Sequence, residues 1–395
     1  MTGGLARTLA PLSVGEHITV RRETAPDART LAQWDGLVER SSGTDVTQLS
    51  AWSAIRSRAG FSPLYLLAFH RDTLVGGALV NCRRVLGMLR VCYLPYGPLV
   101  EQSRADASAI ATSLITDLTR LAHSSAMTFV QPPEGADFIS DALLANGFRP
   151  SHAGIAPAGS YRVDLAPSLE EIRRGFSRRL KSWTNRWDSS GVTVRRGDDR
   201  DVPILLELMN RTATRHGFEP PSLEQLSAIH SELAPLGHAA IFIGEVDGRP
   251  VAADLVTMLG DTVRGRRCGF DSSGAAGRLS VPAAVRWEII KWAKKAGYRW
   301  LDFGGLPKPM LDDMLDRDIR SSDDWPGAHR AKLSFNGEPF RYPAAVELVR
   351  PFALRFAYEA ARSSTRGRRL INVAKTAIRV GRVPEFQGSD HRRQR

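Results

Sequence analysis

The chain has 395 residues, of which 43% are hydrophobic, 24% charged and 8% aromatic. This composition is typical of a globular protein with a large core, and it excludes disordered, collagen-like and coiled-coil classes. With 54 Lys and Arg against 42 Asp and Glu, the formal net charge is +12, which favours polyanionic partners such as nucleic acid or anionic lipid. At roughly 150 residues per domain, the length predicts two domains and a tail.

The cysteines and the hydropathy pattern bear on the cellular compartment. The three cysteines, Cys82, Cys92 and Cys268, are an odd number without metal-ligand spacing, so they predict neither a disulfide framework nor a zinc site. No window approaches the ~18 apolar residues of a membrane span or has the apolar core of a signal peptide. We therefore expect a cytoplasmic protein that at most associates peripherally with the inner face of the membrane.

The first 160 residues alternate between helix and strand patterns. Apolar residues at helical spacing predict three helices, over residues 27–41, 47–59 and 105–124. Alternating apolar runs around Arg71-Asp72 predict a hairpin, which a third strand ending at Pro95 follows. Short strands after residues 125 and 159 complete this part of the chain.

From Ser168 the same order of elements recurs, as in a structural repeat. One long helix over residues 168–190 precedes a strand, two helices, a hairpin that turns at Asp247-Gly248, a further strand, a helix and a strand. The halves share a pattern without visible sequence identity. The pattern predicts two tandem mixed α/β units, residues 1–160 and 161–340.

The remaining residues, 341–395, form a helical and basic tail. An apolar stripe predicts a helix from Val346 to Ser364 that packs on the first unit. Residues 362–395 hold ten Lys and Arg against Glu385 and Asp390, so this end is either solvated or in contact with nucleic acid or anionic lipid.

The chain lacks the sequence motifs of the common cofactor and hydrolase sites. There is no GxxxxGK[ST], no GxGxxG between a strand and a helix, no HExxH and no GxSxG, which argues against ATP, NAD, zinc-hydrolase and Ser-hydrolase chemistry. His216 and His329 lie beside other polar residues, and the simplest interpretation of each is a surface or core-edge imidazole.

The layout of each half resembles the acetyltransferase (GNAT) fold. Acyl-CoA users of that fold carry a Gln/Arg-x-x-Gly-x-Gly/Ala turn that wraps the pyrophosphate. Neither Arg267–Asp271 nor Ser273–Gly277 fits that turn. The resemblance therefore implies acyl transfer from a donor other than CoA, and no cofactor is expected.

Several segments, in order and spacing, resemble the FemABX family of aminoacyl-tRNA-dependent aminoacyltransferases, which use two GNAT-like units. They span most of the chain and are Trp52–Arg56, Tyr93–Glu101, Arg178–Arg186, Thr212–Phe218, Trp287–Trp292, Tyr298–Gly305 and Gly327–Gly337. The resemblance implies that an acceptor amine attacks the ester carbonyl of an aminoacyl-tRNA. That ester is already activated, which agrees with the absent ATP motif.

The resemblance also implies two catalytic residues. Lys332 matches the family's lysine in a Phe-Lys-x-x-Phe-Gly-like stretch and is the expected cation beside the carbonyl oxygen, although Ala331 stands where an aromatic residue is common. Glu101, in place of a commoner Asp, would hold or deprotonate the incoming ammonium. The alternative interpretations are an exposed lysine at a loop end and a surface ion pair.

Substrate contacts are expected from residues that match other family motifs. Arg56 and Arg215 would bind pyrophosphate or carboxylate oxygens of a cell-wall precursor, unless both form surface ion pairs. Tyr93 flanks the Gly-Pro turn, and Phe335 ends the Lys-x-x-Phe stretch. Residues 219–222 lack the tyrosines common in the family, which leaves the nature of the acceptor open.

A basic segment is the candidate tRNA contact. Residues 173–196 carry eight Lys and Arg and one acid, and Arg178, Arg179, Lys181 and Arg186 are the expected phosphate contacts. The alternative is a solvated helix with Trp183 and Trp187 in the core.

The sequence thus predicts an aminoacyl-tRNA-dependent aminoacyltransferase that forms a peptide bond to the amine of a lipid-linked or UDP-linked muropeptide. No metal and no stable protein partner are expected, whereas peripheral contact with an anionic membrane is. Three alternatives stay open: transfer to a small-molecule natural product, CoA-dependent N-acylation, and RNA or membrane binding without catalysis.

Overall fold

The computed structural model describes residues 18–85, 87–154, 156–217 and 219–380. Its strands, in chain order, are β1 (Ile18–Glu23), β2 (Ser62–His70), β3 (Thr73–Val85), β4 (Leu89–Pro95), β5 (Leu99–Val100), β6 (Met127–Gln131), β7 (Arg149–Pro150), β8 (Gly159–Asp164), β9 (Val192–Gly197), β10 (Ala239–Val246), β11 (Arg249–Leu259), β12 (Thr262–Phe270), β13 (Trp300–Asp302), β14 (Glu338–Arg341) and β15 (Val346–Val349).

Its α-helices are α1 (Ala28–Arg40), α2 (Ser50–Arg58), α3 (Ala107–His123), α4 (Asp137–Ala145), α5 (Leu169–Gly175), α6 (Arg178–Thr184), α7 (Val202–His216), α8 (Leu223–Leu233), α9 (Gly274–Arg278), α10 (Val281–Lys295), α11 (Lys308–Asp316), α12 (Gly327–Leu333), α13 (Phe352–Ser363) and α14 (Thr365–Val380). Within the described ranges, none of these helices is both long and apolar enough to cross a membrane.

The strands form two mixed sheets with related topologies. The first has the order β1-β2-β3-β4-β6-β15-β7, with β5 paired to the start of β3, and the second has the order β14-β8-β13-β12-β11-β10-β9. Each sheet contains one parallel pair, β4 with β6 and β12 with β13. In each case a helix, α3 or α10, connects the parallel strands, as parallel pairing requires. The α/β fold with two tandem units is therefore confirmed.

The structure corrects two predicted helices. Val346–Val349 is not helical but forms β15, which pairs with β6 and β7 in the first sheet. All four of its residues are buried, as suits a central strand, and Pro351 disfavours helical backbone at Arg350. The helix over 168–190 is divided into α5 and α6, because Ser177 begins a new helix by accepting a hydrogen bond from the Leu180 amide.

One buried hydrophobic cluster includes residues of both units, in addition to a cluster within each unit. Trp34 and Leu37 of α1 belong to the same buried cluster as Leu205 of α7 and Leu226 of α8. The Trp34 indole N–H donates to the carbonyl of Gln48 over 2.7 Å. Because burial of apolar side chains is the main favourable contribution to folding, this cluster holds the units in one fixed arrangement, and a site formed by both has a defined geometry.

Candidate functional site

A cavity of about 340 Å³ opens in the second unit between β11, β12, α10 and the loop after β13. Part of its wall is apolar, with Val256, Ile289 and Phe303 among the lining residues. Its charged lining residues are Asp254, Arg266, Arg267, Arg286, Asp302 and Lys332. A concave site with an apolar wall and a few convergent charges is the usual form of a small-ligand site.

Lys332 is anchored at the edge of this cavity by backbone carbonyls. It lies on α12, and its Nζ donates to the carbonyl oxygens of Gly304 at 3.0 Å and Gly305 at 2.9 Å. An ammonium has three N–H donors, so the third is left for a group in the cavity. Burial and the nearby Arg286 charge lower the pKa of Lys332 to about 8, and the charged form still dominates at pH 7.

The carbonyls that hold Lys332 are themselves fixed by Asp302. The Gly304 amide donates to Asp302 Oδ1 over 2.8 Å, and the Ser160 hydroxyl donates to the same oxygen. Gly304 has a φ of 81°, a left-handed conformation that favours glycine. A carboxylate thus sets the backbone geometry that positions the lysine.

The Phe335 side chain packs in the core next to α12 and is not among the residues that line the cavity. Its side chain is 1% exposed, and its ring centroid lies 4.9 Å from that of Phe303 and 5.2 Å from that of Phe176. A ring buried to this extent has no surface for a substrate. The substrate contact predicted for Phe335 is therefore corrected to a packing role beneath α12.

His329 lies one helical turn before Lys332 on α12. Burial and the Lys332 charge lower the pKa of His329 to about 4, so its imidazole is neutral at pH 7. Lys332 is therefore the charged member of this pair.

A buried ion-pair network extends from Asp302 into the first unit. Arg264 bridges two carboxylates, with its Nε 2.9 Å from Asp302 Oδ2 and its Nη1 2.5 Å from Asp45 Oδ2. Arg266 adds a contact of 3.1 Å to Asp45 Oδ1. Burial alone would raise the pKa of Asp45, but Arg266 and Arg264 bring it down to about 2. The network joins the two units with charges that stay ionised.

Tyr93 and Arg56 lie on the first-unit side of this network. Burial raises the pKa of Tyr93 strongly, with the neighbouring charges of Asp45, Arg266 and Arg56 acting on it. The guanidinium of Arg266 also stacks 4.6 Å from the Trp52 ring centroid. Arg56 and Tyr93 therefore lie near Arg266, which lines the cavity together with Lys332.

Glu101 does not lie near Tyr93. Its amide donates to the carbonyl of Val75 near the start of β3, and its carboxylate lies 3.7 Å from Arg40. Tyr93 pairs with Asn81, six residues further along β3, which is roughly 20 Å at the rise of a strand. The placement of Glu101 thus contradicts its expected contact with an ammonium beside Lys332.

Arg215 lies beyond the cavity. It is exposed at the end of α7, and its guanidinium lies 4.4 Å from the Phe270 ring centroid. Phe270 is two residues past Cys268, a cavity residue on β12, or about 7 Å along the strand. Arg215 is therefore near the cavity without lining it.

The basic segment has exposed arginines on one side and tryptophan side chains, Trp187 buried and Trp183 partly buried, on the other. Arg178, Arg179 and Arg186 are exposed, and Lys181 Nζ donates to the Arg174 carbonyl over 3.2 Å. Trp187 is buried, and its indole N–H donates to the Leu279 carbonyl. The segment is thus a tryptophan-anchored surface that presents three exposed arginines.

Asp45, Arg264, Asp254 and Arg286 belong to no motif recognised in the sequence, and Asp302 belongs to one only as part of Tyr298–Gly305. The sequence contains one indication of this network, the three arginines Arg264, Arg266 and Arg267 of β12. So many charged residues are unusual in a strand that lies between buried strands. Charged residues in such a strand require partners. The identity of those partners, on other elements, was not accessible from the pattern.

Comparison with known proteins gives matches to both sequence and fold. Residues 171–310 match the acetyltransferase (GNAT) domain family. The lipid II:glycine glycyltransferase of Staphylococcus saprophyticus is 24% identical over 234 residues, 56% of this chain and 56% of that protein. The chain thus spans little more than half the length of such curated relatives.

Two solved structures have the same fold. The crystal structure of FemX superposes with a TM-score of 0.70 at 15% identity, over 86% of this chain and 99% of that one. A tandem GNAT protein from the clavulanic acid biosynthesis pathway superposes with a TM-score of 0.51 at 13% identity, over 84% of this chain and 98% of that one.

The two sheets and these matches define the class of the protein as a tandem GNAT fold. Its homologues are lipid II:glycine glycyltransferases, and FemX shares its fold. The resemblance to the FemABX family is thereby confirmed.

Proposed function

We propose that this chain transfers an aminoacyl group from an aminoacyl-tRNA to the amine of a peptidoglycan precursor, a lipid-linked or UDP-linked muropeptide. The observation that carries the proposal is the Lys332 ammonium, held by two backbone carbonyls at the edge of a cavity of about 340 Å³. The homology to lipid II:glycine glycyltransferases supports both the reaction class and the acceptor.

The transfer makes one bond and breaks one. The lone pair of the neutral acceptor amine attacks the ester carbonyl carbon, and the carbonyl oxygen becomes an oxyanion. The tetrahedral intermediate then expels the ribose oxygen with the electron pair of the broken C–O bond, and the proton lost by the amine ends on that oxygen. Lys332 stabilises the oxyanion with its remaining N–H, an interaction that is stronger in the transition state than in the ground state.

The basic segment suits the tRNA part of the donor. Arg178, Arg179 and Arg186 are exposed on one short stretch of the second unit, and exposed arginines bind phosphates with an affinity that falls as salt rises. They lie on the unit that contains the cavity, which supports a tRNA donor bound by this unit.

The C-terminal helices suit an anionic membrane, where a lipid-linked acceptor resides. Phe352 and Phe356 lie one turn apart on α13 and are 77% and 66% exposed, and Leu370 on α14 is 67% exposed. Residues 350–380 carry eight Lys and Arg and one Glu. Exposed aromatic side chains beside basic residues are the features of an interfacial helix.

The membrane contact is tested by flotation with vesicles of phosphatidylcholine alone or mixed with phosphatidylglycerol. We expect wild type to float only with the anionic vesicles and the double variant Phe352→Ser/Phe356→Ser to lose this binding. Phe138→Ser, which removes an exposed phenylalanine from α4, is the matched control. Equal binding by all three proteins would exclude α13 as the contact.

The transfer itself is tested with radiolabelled aminoacyl-tRNAs, purified lipid II and UDP-linked muropeptide, comparing wild type with Lys332→Ala. Label that enters the muropeptide with wild type and drops sharply with the variant supports the proposal. Transfer only to small amines would redirect it to a small-molecule acceptor, and acylation from acetyl-CoA would replace it by CoA chemistry. Salt-sensitive tRNA binding without any product would contradict the proposal and indicate a binding protein without catalytic activity.

A further inference from the structure

The cavity contains a second charged pair that the transfer step does not use. Asp254 of β11 is 7% exposed, and its Oδ2 lies 3.7 Å from Nε of Arg286 on α10. This separation exceeds the 2.7–3.2 Å of a hydrogen bond, so the pair is loose. Both side chains line the cavity with Lys332. A largely buried carboxylate with so loose a partner has capacity for another cation.

The position of Asp254 relative to Lys332 follows from the sheet. Asp254 pairs directly with Cys268 across β11 and β12, and the Cys268 thiol is a cavity residue that both Asp254 and Lys332 influence electrostatically. The Asp254 carboxylate and the Lys332 ammonium therefore share one small enclosure. A ligand inside it meets a cation and an anion at once.

The aminoacyl ester has the complementary pair of groups. Its carbonyl oxygen gains negative charge during transfer, and its α-ammonium is two bonds from that carbonyl carbon. An acetyl thioester, an N-acylated amino acid and a peptidyl ester all lack this ammonium. The arrangement of charges in the cavity thus distinguishes a free amino acid ester from other acyl donors.

We propose that Asp254 binds the α-ammonium of the donor amino acid and that the cavity thereby selects aminoacyl donors with a free α-amine. Burial raises the pKa of Asp254 and Arg286 opposes this rise, so a donor ammonium beside the carboxylate would further favour its ionised form. This inference rests on the proposed function and makes Asp254 a specificity-determining residue of the same site. Loss of a hydrogen bond to a charged group corresponds to roughly 10- to 100-fold in affinity.

The test compares donors with and without the charge. tRNAs charged with glycine, alanine or serine are used directly and after nitrous acid has converted the α-amine to a hydroxyl. The ratio of kcat/KM for the aminoacyl donor to that for the hydroxyacyl donor is measured for wild type, Asp254→Asn and the control Asp164→Asn. Asp164 is half exposed and pairs with Arg299 on the surface, away from the cavity lining. Differences in intrinsic ester reactivity cancel between the proteins.

We expect Asp254→Asn to lower this ratio at least tenfold and Asp164→Asn to leave it unchanged. Equal losses for both donors in Asp254→Asn would assign Asp254 a purely structural role and overturn the inference, while the proposed function would stand. Absence of transfer by wild type from every donor would instead refute the proposed function and the inference with it.

A second measurement uses wild type alone, so it tests the inference even if the Asp254→Asn variant does not fold. Non-hydrolysable 3′-aminoacylamino-adenosine and its α-hydroxy counterpart are compared as inhibitors of transfer. Tighter inhibition by the amine, by at least tenfold, supports the inference, and equal inhibition overturns it.

Discussion

The charge on Lys332 predicts a specific pH dependence of transfer. Burial and Arg286 place its pKa at about 8 instead of the usual 10.5. The charged fraction is therefore about nine-tenths at pH 7 and falls about tenfold for each pH unit above 8. If the ammonium stabilises the oxyanion, the rate contributed by Lys332 falls with the same slope.

Two variants isolate this effect. Lys332→Ala removes the donor, and we expect kcat to fall about 10²- to 10³-fold, the usual cost of losing an oxyanion contact. Lys332→Arg keeps a cation at every accessible pH, although its planar fork fits the carbonyls of Gly304 and Gly305 less well. We therefore expect a lower rate at pH 7 without the alkaline decline.

The assay is single-turnover transfer from pH 6 to 10, with ester hydrolysis measured in parallel and subtracted. Ionisation of the acceptor amine affects wild type and Lys332→Arg equally, so the ratio of their rates reports Lys332 alone. The rate of wild type divided by that of Lys332→Arg should be constant below pH 7 and fall above pH 8. A ratio that stays flat up to pH 10 would refute the lowered pKa or the need for the charge, and a rising ratio would indicate that neutral Lys332 acts as a base.

Three further predictions concern stability and tRNA. Asp45→Asn leaves two buried guanidinium groups short of a carboxylate and should lower the free energy of unfolding by about 3–5 kcal/mol, measured by urea denaturation. In wild type, the contribution of Asp45 to stability should be complete above pH 4 and lost as pH falls through its folded pKa of about 2; a variant equally stable at pH 7 would contradict this. Phe335→Ala should cost about 3–5 kcal/mol of unfolding free energy, whereas an unchanged stability with a raised KM would restore Phe335 as a substrate contact. The triple variant Arg178→Ala/Arg179→Ala/Arg186→Ala should weaken tRNA binding and reduce the slope of log affinity against log salt by about 3, and an unchanged slope would place the tRNA elsewhere.

Much of the fold is predictable because its hairpin turns are determined by the residue types at the turn itself. The hairpins at Arg71-Asp72 and Asp247-Gly248 are both present, and Arg71, Asp247 and Gly248 have positive φ values, as tight hairpin turns require. Val346–Val349 was misassigned for the opposite reason. Its partners in β6 and β7 lie about 200 residues earlier, and such a short run does not by itself distinguish strand from helix.

The sequence predicts the site only at residues that belong to a recognisable motif. Lys332 follows from the resemblance, but its partners are backbone carbonyls of Gly304 and Gly305, which have no sequence signature. Asp45 and Arg264 are 219 residues apart, so their pairing depends on how the units meet. Glu101 was grouped with Tyr93 because they are close in sequence, whereas β4 and β5 contact distant parts of β3.

The position of β15 has a consequence for biosynthesis. The first sheet is complete only when Val346–Val349 enters between β6 and β7, after the entire second sheet has been translated. At ribosomal speeds the roughly 200 residues after β6 take about 10–40 s to emerge. During that interval the nascent chain presents an unpaired strand edge at β6, and unpaired edges favour aggregation. Chaperone demand for this protein should therefore peak late in its synthesis and end when β15 has left the ribosome.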